Sequence, residues 1–150
     1  MNDNRYFLDT NILVRYDIND LPESPLIYQA ITSLIDQQAV FWISPQVMRE
    51  YCRTLTYPTF PTPYTMPQAV ARLRKLIMWI NIADETRAVS LGLLTLLENV
   101  PIAGKQVHDA NIVATMQSLD ITQLITLNID DFKRFVPRIL LLAPKDIIPS

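Results

Sequence analysis

The chain reads as an α/β protein built on a parallel sheet covered by helices, and three observations predict it. Short apolar, β-rich runs alternate with longer helical segments, in the order β-α-α-β-α-α-β-α-α-β-α-β. The 150 residues are 49% apolar and 19% charged, enough for a sizeable core and too apolar for disorder. Cap and turn formers, several of them acidic, stand directly behind the strand-like runs. On this architecture, ligands sit beyond the carboxyl ends of the strands. The length predicts a single domain over 1–150.

Each element follows from local pattern. Arg5 to Leu8 is a short strand that stops at Asp9-Thr10-Asn11, and a helix follows through Tyr16. Pro25 to Gln37 is a second helix. Val40-Phe41-Trp42-Ile43 is too short and too β-rich for a helix and reads as a buried strand. Ser44-Pro45 supplies an N-cap and a proline at the first helical position, so a helix runs from there to about Thr56. Tyr57 to Met66 holds Pro58, Pro61 and Pro63 and reads as a loop or the tip of a helical hairpin. Pro67 opens the next helix, to about Trp79. Asn81-Ile82-Ala83 is a short strand, and Thr86 to Leu97 and Val107 to Leu119 are helices. Gln123 to Leu127 is a strand, Asn128 to Phe135 a short helical turn, and Arg138 to Leu142 a final strand.

Composition removes several function classes. One cysteine, Cys52, excludes an internal disulfide framework and a Cys-rich zinc site, and one histidine, His108, excludes a multi-His metal centre. With two glycines, Gly92 and Gly104, neither the dinucleotide nor the P-loop pattern can be written. A net charge of −2 rules out a uniformly basic coat but not a local basic patch. No apolar run approaches a membrane span, and the opening Met1-Asn2-Asp3-Asn4-Arg5 is polar, so a soluble, cytoplasmic protein without a membrane partner is expected.

Eleven of the fifteen acids are Asp. Aspartate is a poor helix former but suits caps, turns and hard-cation sites. Asp9 follows the first strand and stands at the carboxyl edge, where it serves either as an N-cap or as a ligand. Glu50 borders the apolar face of its helix, three residues after Val47; its plainer reading is a solvated partner of Arg49 or Arg53. Asp109 shares a helix face with Ile112, Val113 and Met116, in the first turn. There the helix dipole favours a negative charge, but a core-facing carboxylate needs a partner. Asn128, Asp130 and Asp131 follow the fourth strand, with Asn128 as an N-cap and Asp131 as a partial capping box. Four elements thus send acids to one edge of one sheet, and no single Lys or Arg is placed to neutralise them all. Clustered carboxylates stay ionised together only with counter-charge. Oxygen-only ligation suits Mg²⁺ or Mn²⁺, and such a site supports phosphoryl or phosphodiester chemistry.

Four segments, in order, resemble the motifs of PIN-domain nucleases, and together they cover nearly the whole chain. They are Phe7-Leu8-Asp9-Thr10-Asn11-Ile12-Leu13, Ser44-Pro45-Gln46-Val47-Met48-Arg49-Glu50, His108-Asp109-Ala110-Asn111-Ile112-Val113-Ala114-Thr115, and Thr126-Leu127-Asn128-Ile129-Asp130-Asp131-Phe132. The compact size is similar to VapC-type toxins of toxin–antitoxin pairs. The resemblance implies a PIN-like three-layer α/β/α fold with a central parallel sheet and a helical hairpin insertion. It also implies a Mg²⁺- or Mn²⁺-dependent endoribonuclease. Asp9 and Asp109 would be metal ligands, and Asp9, Glu50, Asp109 and Asp131 the catalytic acids. Asn11, Thr126 and Asn128 would orient them or the substrate. The fourth block departs from the fullest pattern, because Asn128 stands where some relatives carry Asp. Asp131 is the expected fourth acid, ahead of Asp130. The implied partners are RNA, a small antitoxin protein and a second copy of the chain.

Arg15, Arg49 and Arg53 lie near these acids in sequence and suit phosphate contacts, while Arg72, Arg74 and Lys75 read as a solvated helix face. Tyr51, Tyr57, Phe60 and Tyr64 either pack the hairpin or stack on unpaired bases. Cys52 reads as a small buried hydrophobe, and His108 as an aid to its helix start. The alternative function is a catalytically silent PIN domain that binds RNA or a partner. A haloacid-type phosphatase wants a second Asp where Asn11 stands, and a signalling receiver wants an Asp where Ile43-Ser44-Pro45 has none.

Overall fold

The structure, a computed structural model, describes residues 3–148; Met1 and Asn2 of the polar opening lie outside them, as do 149 and 150. The elements are β1 (Arg5–Leu8), α1 (Thr10–Asp17), α2 (Ser24–Asp36), β2 (Val40–Ile43), α3 (Pro45–Thr56), α4 (Met66–Leu76), β3 (Asn81–Ile82), α5 (Arg87–Asn99), α6 (Gln106–Ser118), β4 (Gln123–Ile125), α7 (Ile129–Phe132), β5 (Leu140–Leu142) and α8 (Pro144–Ile147). A single 3-10 turn, Lys133–Phe135, follows α7.

All four strand pairings are parallel, and the spatial order is β3-β2-β1-β4-β5. Parallel neighbours need crossover connections, which the helices supply. The chain builds outward from β1 to β2 and β3, then crosses back to place β4 and β5 on the other side. Right-handed crossovers in opposite directions put their helices on opposite faces. Accordingly α1, α2, α3 and α4 pack together on one side, while α5, α6 and α7 pack on the other. The result is the expected three-layer α/β/α fold, with α3 and α4 as the helical hairpin. The order reverses at β1 and β4, so a crevice opens beyond their carboxyl ends.

Phe7, Leu8, Ile43, Leu124 and Ile125 form the buried centre of the sheet. Ile12, Leu13, Val47, Tyr51 and Leu55 cover one face, and Ile112, Val113 and Met116 of α6 are equally buried. Polar caps fix where helices begin. Ser44 Oγ accepts from Val47 N at 3.3 Å, and Thr65 and Gln68 exchange a reciprocal pair of bonds at the start of α4.

Three boundaries and one further helix stand out as different from the sequence reading. Helix α4 ends at Leu76, not Trp79; Ile77 to Trp79 turn, and the Trp79 ring packs edge-on against Tyr16 and Phe41 at 5.5 and 5.8 Å. β4 stops at Ile125, because Leu127 N bonds Asn11 Oδ1 at 3.3 Å and leaves the ladder. β5 begins at Leu140, since Ile139 N is held by Phe135 O in the preceding turn. Helix α8 was not anticipated. Its signal was Pro144 at the first helical position with Asp146 close behind, whose carboxylate accepts from Ala143 N at 3.0 Å. With so few glycines, the left-handed positions that end α2 and α6 are taken by Gln38 and Asp120, at φ 62° and 55°.

Candidate active site

Asp9 ends β1 and caps α1, and it is only 6% exposed. One oxygen, Oδ1, accepts from Thr10 N at 2.8 Å. The other, Oδ2, accepts from Thr126 Oγ1 at 2.7 Å and, at a long 3.4 Å, from Asn11 Nδ2. Cap and site roles therefore coexist in one residue. Thr126 is itself fully buried, and its hydroxyl oxygen accepts from Asn128 N at 2.9 Å. Asn11 ties the ends of β1 and β4 together through its bond to Leu127 N.

Glu50 comes from the second turn of α3. It pairs with neither Arg49 nor Arg53, contrary to the plainer sequence reading. Arg49 lies 3.8 Å from Glu85, and the Arg53 guanidinium sits over the Tyr57 ring. Instead, Glu50 Oε2 accepts from Thr10 Oγ1 at 2.6 Å, and Oε1 from Gln46 Nε2 at 2.8 Å. Gln46 is buried and also donates to His108 O at 3.0 Å, while its own Oε1 accepts from Asn111 Nδ2 at 3.0 Å. These bonds fasten α3 to the start of α6.

Asp109 is half-buried in the first turn of α6. It does not cap the helix, since α6 begins at Gln106 with no side-chain cap bond. Asn128 occupies the N-cap position of α7 by backbone alone: Asp131 N bonds Asn128 O at 3.1 Å, and no side-chain capping box forms. Asp130 points to solvent and pairs with Lys133 at 2.5 Å. Asp131 carries its charge toward Asp9 and Asp109 and raises the pKa of both. Asp9, Glu50 and Asp109 thus share one cleft; Asp131 is exposed and does not line it, acting on Asp9 and Asp109 only through its charge, and Asp130 stays outside.

The electrostatics of the cluster are dominated by burial and mutual repulsion. Burial pushes the Asp9 carboxyl up, the bonds from Thr126 and Thr10 pull it back, and the charges of Glu50 and Asp131 raise it again. Asp109 is pushed up to about 6, first by burial and then by Asp9, Asp131 and Glu50, with Arg134 opposing. Among the described residues, no Lys or Arg forms an ion pair with any of the four.

That deficit of counter-charge is what a hard cation relieves, and all the donors are oxygens. Among the described residues, no three His, Cys, Asp or Glu side chains stand close enough to cage an ion. The fit is therefore to a cation held by one or two carboxylates with water completing its shell, as Mg²⁺ prefers. Of the neighbouring charges, that of Asp9 raises Asp109 most, so these are the two carboxylates that could hold such an ion.

Asp9, Glu50 and Asp109 open into a cleft of about 580 Å³ whose wall includes Asn11, Gln46, His108 and Asn128. Arg15, Arg49 and Arg53 also line it, as their sequence positions suggested. Arg74 and Lys75 are solvent-exposed, and Arg72 turns to Asp17 at 2.8 Å. Tyr51 is fully buried, donates its O–H to Asp17 and packs the hairpin; burial pushes its phenol pKa up. Cys52 is half-buried, and His108 is exposed on the rim. Sequence reasoning missed the roles of Thr10 and Gln46. Their signal was position: Thr10 adjoins Asp9, and Gln46 lies one helical turn before Glu50.

Protein-family models give no match to this sequence, and neither do curated proteins. Solved structures do. VapBC2 from Rickettsia felis, bound to a promoter DNA fragment, aligns at TM-score 0.67 and 24% identity, over 93% of this chain and 98% of that one. VapBC-1 from nontypeable Haemophilus influenzae aligns at 0.67 and 20%, over 94% and 98%. VapC20 of Mycobacterium tuberculosis, a sarcin–ricin loop cleaving toxin, aligns at 0.65 and 15%, over 85% and 93%. At these identities the likeness is one of fold. The fold is that of PIN-domain VapC proteins.

Proposed function

We propose that the chain is a Mg²⁺- or Mn²⁺-dependent endoribonuclease of PIN type, contained in one domain, and the toxin of a toxin–antitoxin pair. The observation that carries this reading is the meeting of Asp9, Glu50 and Asp109, without a basic partner, in a cleft rimmed by Arg15, Arg49 and Arg53, with the charge of Asp131 near enough to raise Asp9 and Asp109. Asp9 and Asp109 would hold the cation. When bound, it would supply the counter-charge the acids lack and stabilise charge building on the phosphoryl group.

The remaining work falls to the chain's own groups. The arginines hold the phosphates on either side of the target bond, which brings a polyanion to an acidic floor. Thr10 and Gln46 fix both oxygens of Glu50, and a lone pair remains on each oxygen to orient an attacking water and take its proton. Thr126 locks the rotamer of Asp9. Hydrolysis then adds water oxygen to phosphorus and releases one ribose oxygen.

The fold neighbours that are toxin–antitoxin complexes support a small antitoxin as partner. A homodimer belongs to the same reading, and Leu91 and Leu94 leave apolar surface exposed on α5. The site of action is taken to be the cytoplasm; among the described residues, no helix is long and apolar enough to cross a membrane. Asn128 in the cleft wall favours a second reading, a silent PIN domain that binds without cutting.

One assay separates the two. A pool of single-stranded RNA is incubated with wild type, Asp9→Asn and Asp109→Asn in Mn²⁺, Mg²⁺ or EDTA. Cleavage by wild type in metal, lost in EDTA and in both variants, supports the nuclease. A folded, antitoxin-free wild type that binds RNA but never cuts supports the silent module.

A further inference from the structure

The acidic cleft does not end at the acids. A second cavity of about 390 Å³ opens against it, and the two share Val14, Arg15, Arg53 and Thr54 as a common wall. Tyr57, Phe60 and Pro61 line its far side. The hairpin aromatics are not equivalent here. Tyr51 is fully buried, and Tyr64 packs on Phe60 and under the Arg72 guanidinium. Tyr57 alone of the three tyrosines is exposed, at 47%. Its ring carries the Arg53 guanidinium at 5.1 Å on one side, so the ring is held in place while its remaining surface stays open. The loop that bears it is anchored: Phe60 N bonds Tyr57 O and Tyr64 N bonds Leu55 O, both at 2.9 Å. The two shared cations lack carboxylate partners among the described residues, and Arg15 Nε is buried without any hydrogen-bond partner.

We infer that this second cavity is a nucleotide subsite, in which Tyr57 stacks on the unpaired base next to the target phosphate while Arg15 and Arg53 hold the adjoining phosphate. The inference rests on the nuclease reading for which phosphate is cut, but not for binding. Positive charge at the shared wall and an aromatic face beyond it match the alternation of phosphate and base along a single strand. A duplex keeps its base faces covered by neighbours and offers nothing to the ring. The subsite therefore confers a preference for single-stranded or looped RNA.

The test is anisotropy of an end-labelled single-stranded octaribonucleotide in EDTA, where binding is read without cleavage. Tyr57→Ala weakens binding roughly 5- to 150-fold, the range of one base–aromatic stack. Tyr57→Phe restores it, because the ring and not the hydroxyl makes the contact. Tyr28→Ala, at a slightly more exposed tyrosine on α2 outside both cavities, leaves it unchanged. Abasic substitution at one position of the oligonucleotide reproduces the loss in wild type and adds nothing in Tyr57→Ala. The subsite is refuted if folded Tyr57→Ala binds within twofold of wild type, if the abasic penalty persists in Tyr57→Ala, or if wild type does not bind the strand. It is refuted equally if Tyr57→Ala loses only an antitoxin peptide, which makes the groove a protein-docking surface. Tyr57-dependent binding without cleavage by wild type in Mn²⁺ sinks the nuclease reading and leaves the subsite standing.

Discussion

Replacing Asp109 by Asn stabilises the metal-free protein at neutral pH. Its carboxyl is pushed from 3.8 to about 6 by burial and by three acidic neighbours, so the folded state holds its proton more tightly than the unfolded chain does. The sign follows by linkage: this contribution to stability is fully present below pH 3.8 and is lost as pH rises through 6. Roughly two pKa units at about 1.4 kcal/mol each set a ceiling near 3 kcal/mol. Asp109 is half-buried, and solvent screening reduces the figure to about 1–1.5 kcal/mol. Asn keeps the shape and removes the charge, and no hydrogen bond of the Asp109 side chain is lost with it among the described residues. For a chain of this length the gain is about 3–5 °C in Tm. Thermal melts in EDTA at pH 7.5 and pH 5 measure it: the variant melts higher at pH 7.5, and about half of the difference disappears at pH 5, midway between the two pKa values. Adding Mn²⁺ reverses the order, because wild type alone gains the binding energy, about 2.7 kcal/mol at 100 times Kd. A variant no more stable than wild type at pH 7.5, or a gain of equal size at both pH values, refutes the electrostatic account of the cluster.

Three further outcomes are expected. Thr10→Val deprives Glu50 of its 2.6 Å donor and lowers metal-dependent cleavage about 10- to 100-fold with circular dichroism unchanged; an unaltered rate removes Glu50 from the site. Tyr51→Phe deletes the buried O–H that Asp17 accepts and costs about 1–2 kcal/mol in urea unfolding, whereas no change means that Arg72 alone satisfies Asp17. Gln38→Gly relieves a left-handed residue at the end of α2 and adds about 0.5–1 kcal/mol; a loss there places the Gln38 side chain in a contact that matters.

The order of elements was legible because each depends on local chemistry: β-branched and aromatic runs, Ser44-Pro45, and the prolines of the hairpin tip. So was the placing of Asp9, since a residue directly behind a strand has little choice of direction, while Glu50 and Asp109 were legible from the apolar faces of their helices. Partners across the fold were not legible. Arg49 and Arg53 are near Glu50 in sequence, yet Glu85 and Tyr57, brought in by other segments, hold them, and Glu50 is left to Thr10 and Gln46. Strand ends were overestimated for the same reason. Leu127 reads as strand, but its N–H is taken by Asn11, 116 residues earlier. Asp130 and Asp131 are adjacent and chemically identical; only the helical turn that sends one to Lys133 and the other toward Asp9 separates them.

A divalent cation held by Asp9 and Asp109 is the centre of the proposed chemistry, and a Mn²⁺ titration followed by the electron paramagnetic resonance of the free ion tests it most directly. Wild type is predicted to withdraw Mn²⁺ from solution saturably, with Mg²⁺ competing, and both Asp9→Asn and Asp109→Asn to abolish or greatly weaken the uptake while remaining folded. Uptake that is identical in wild type and both variants, or no uptake by folded wild type, would contradict it.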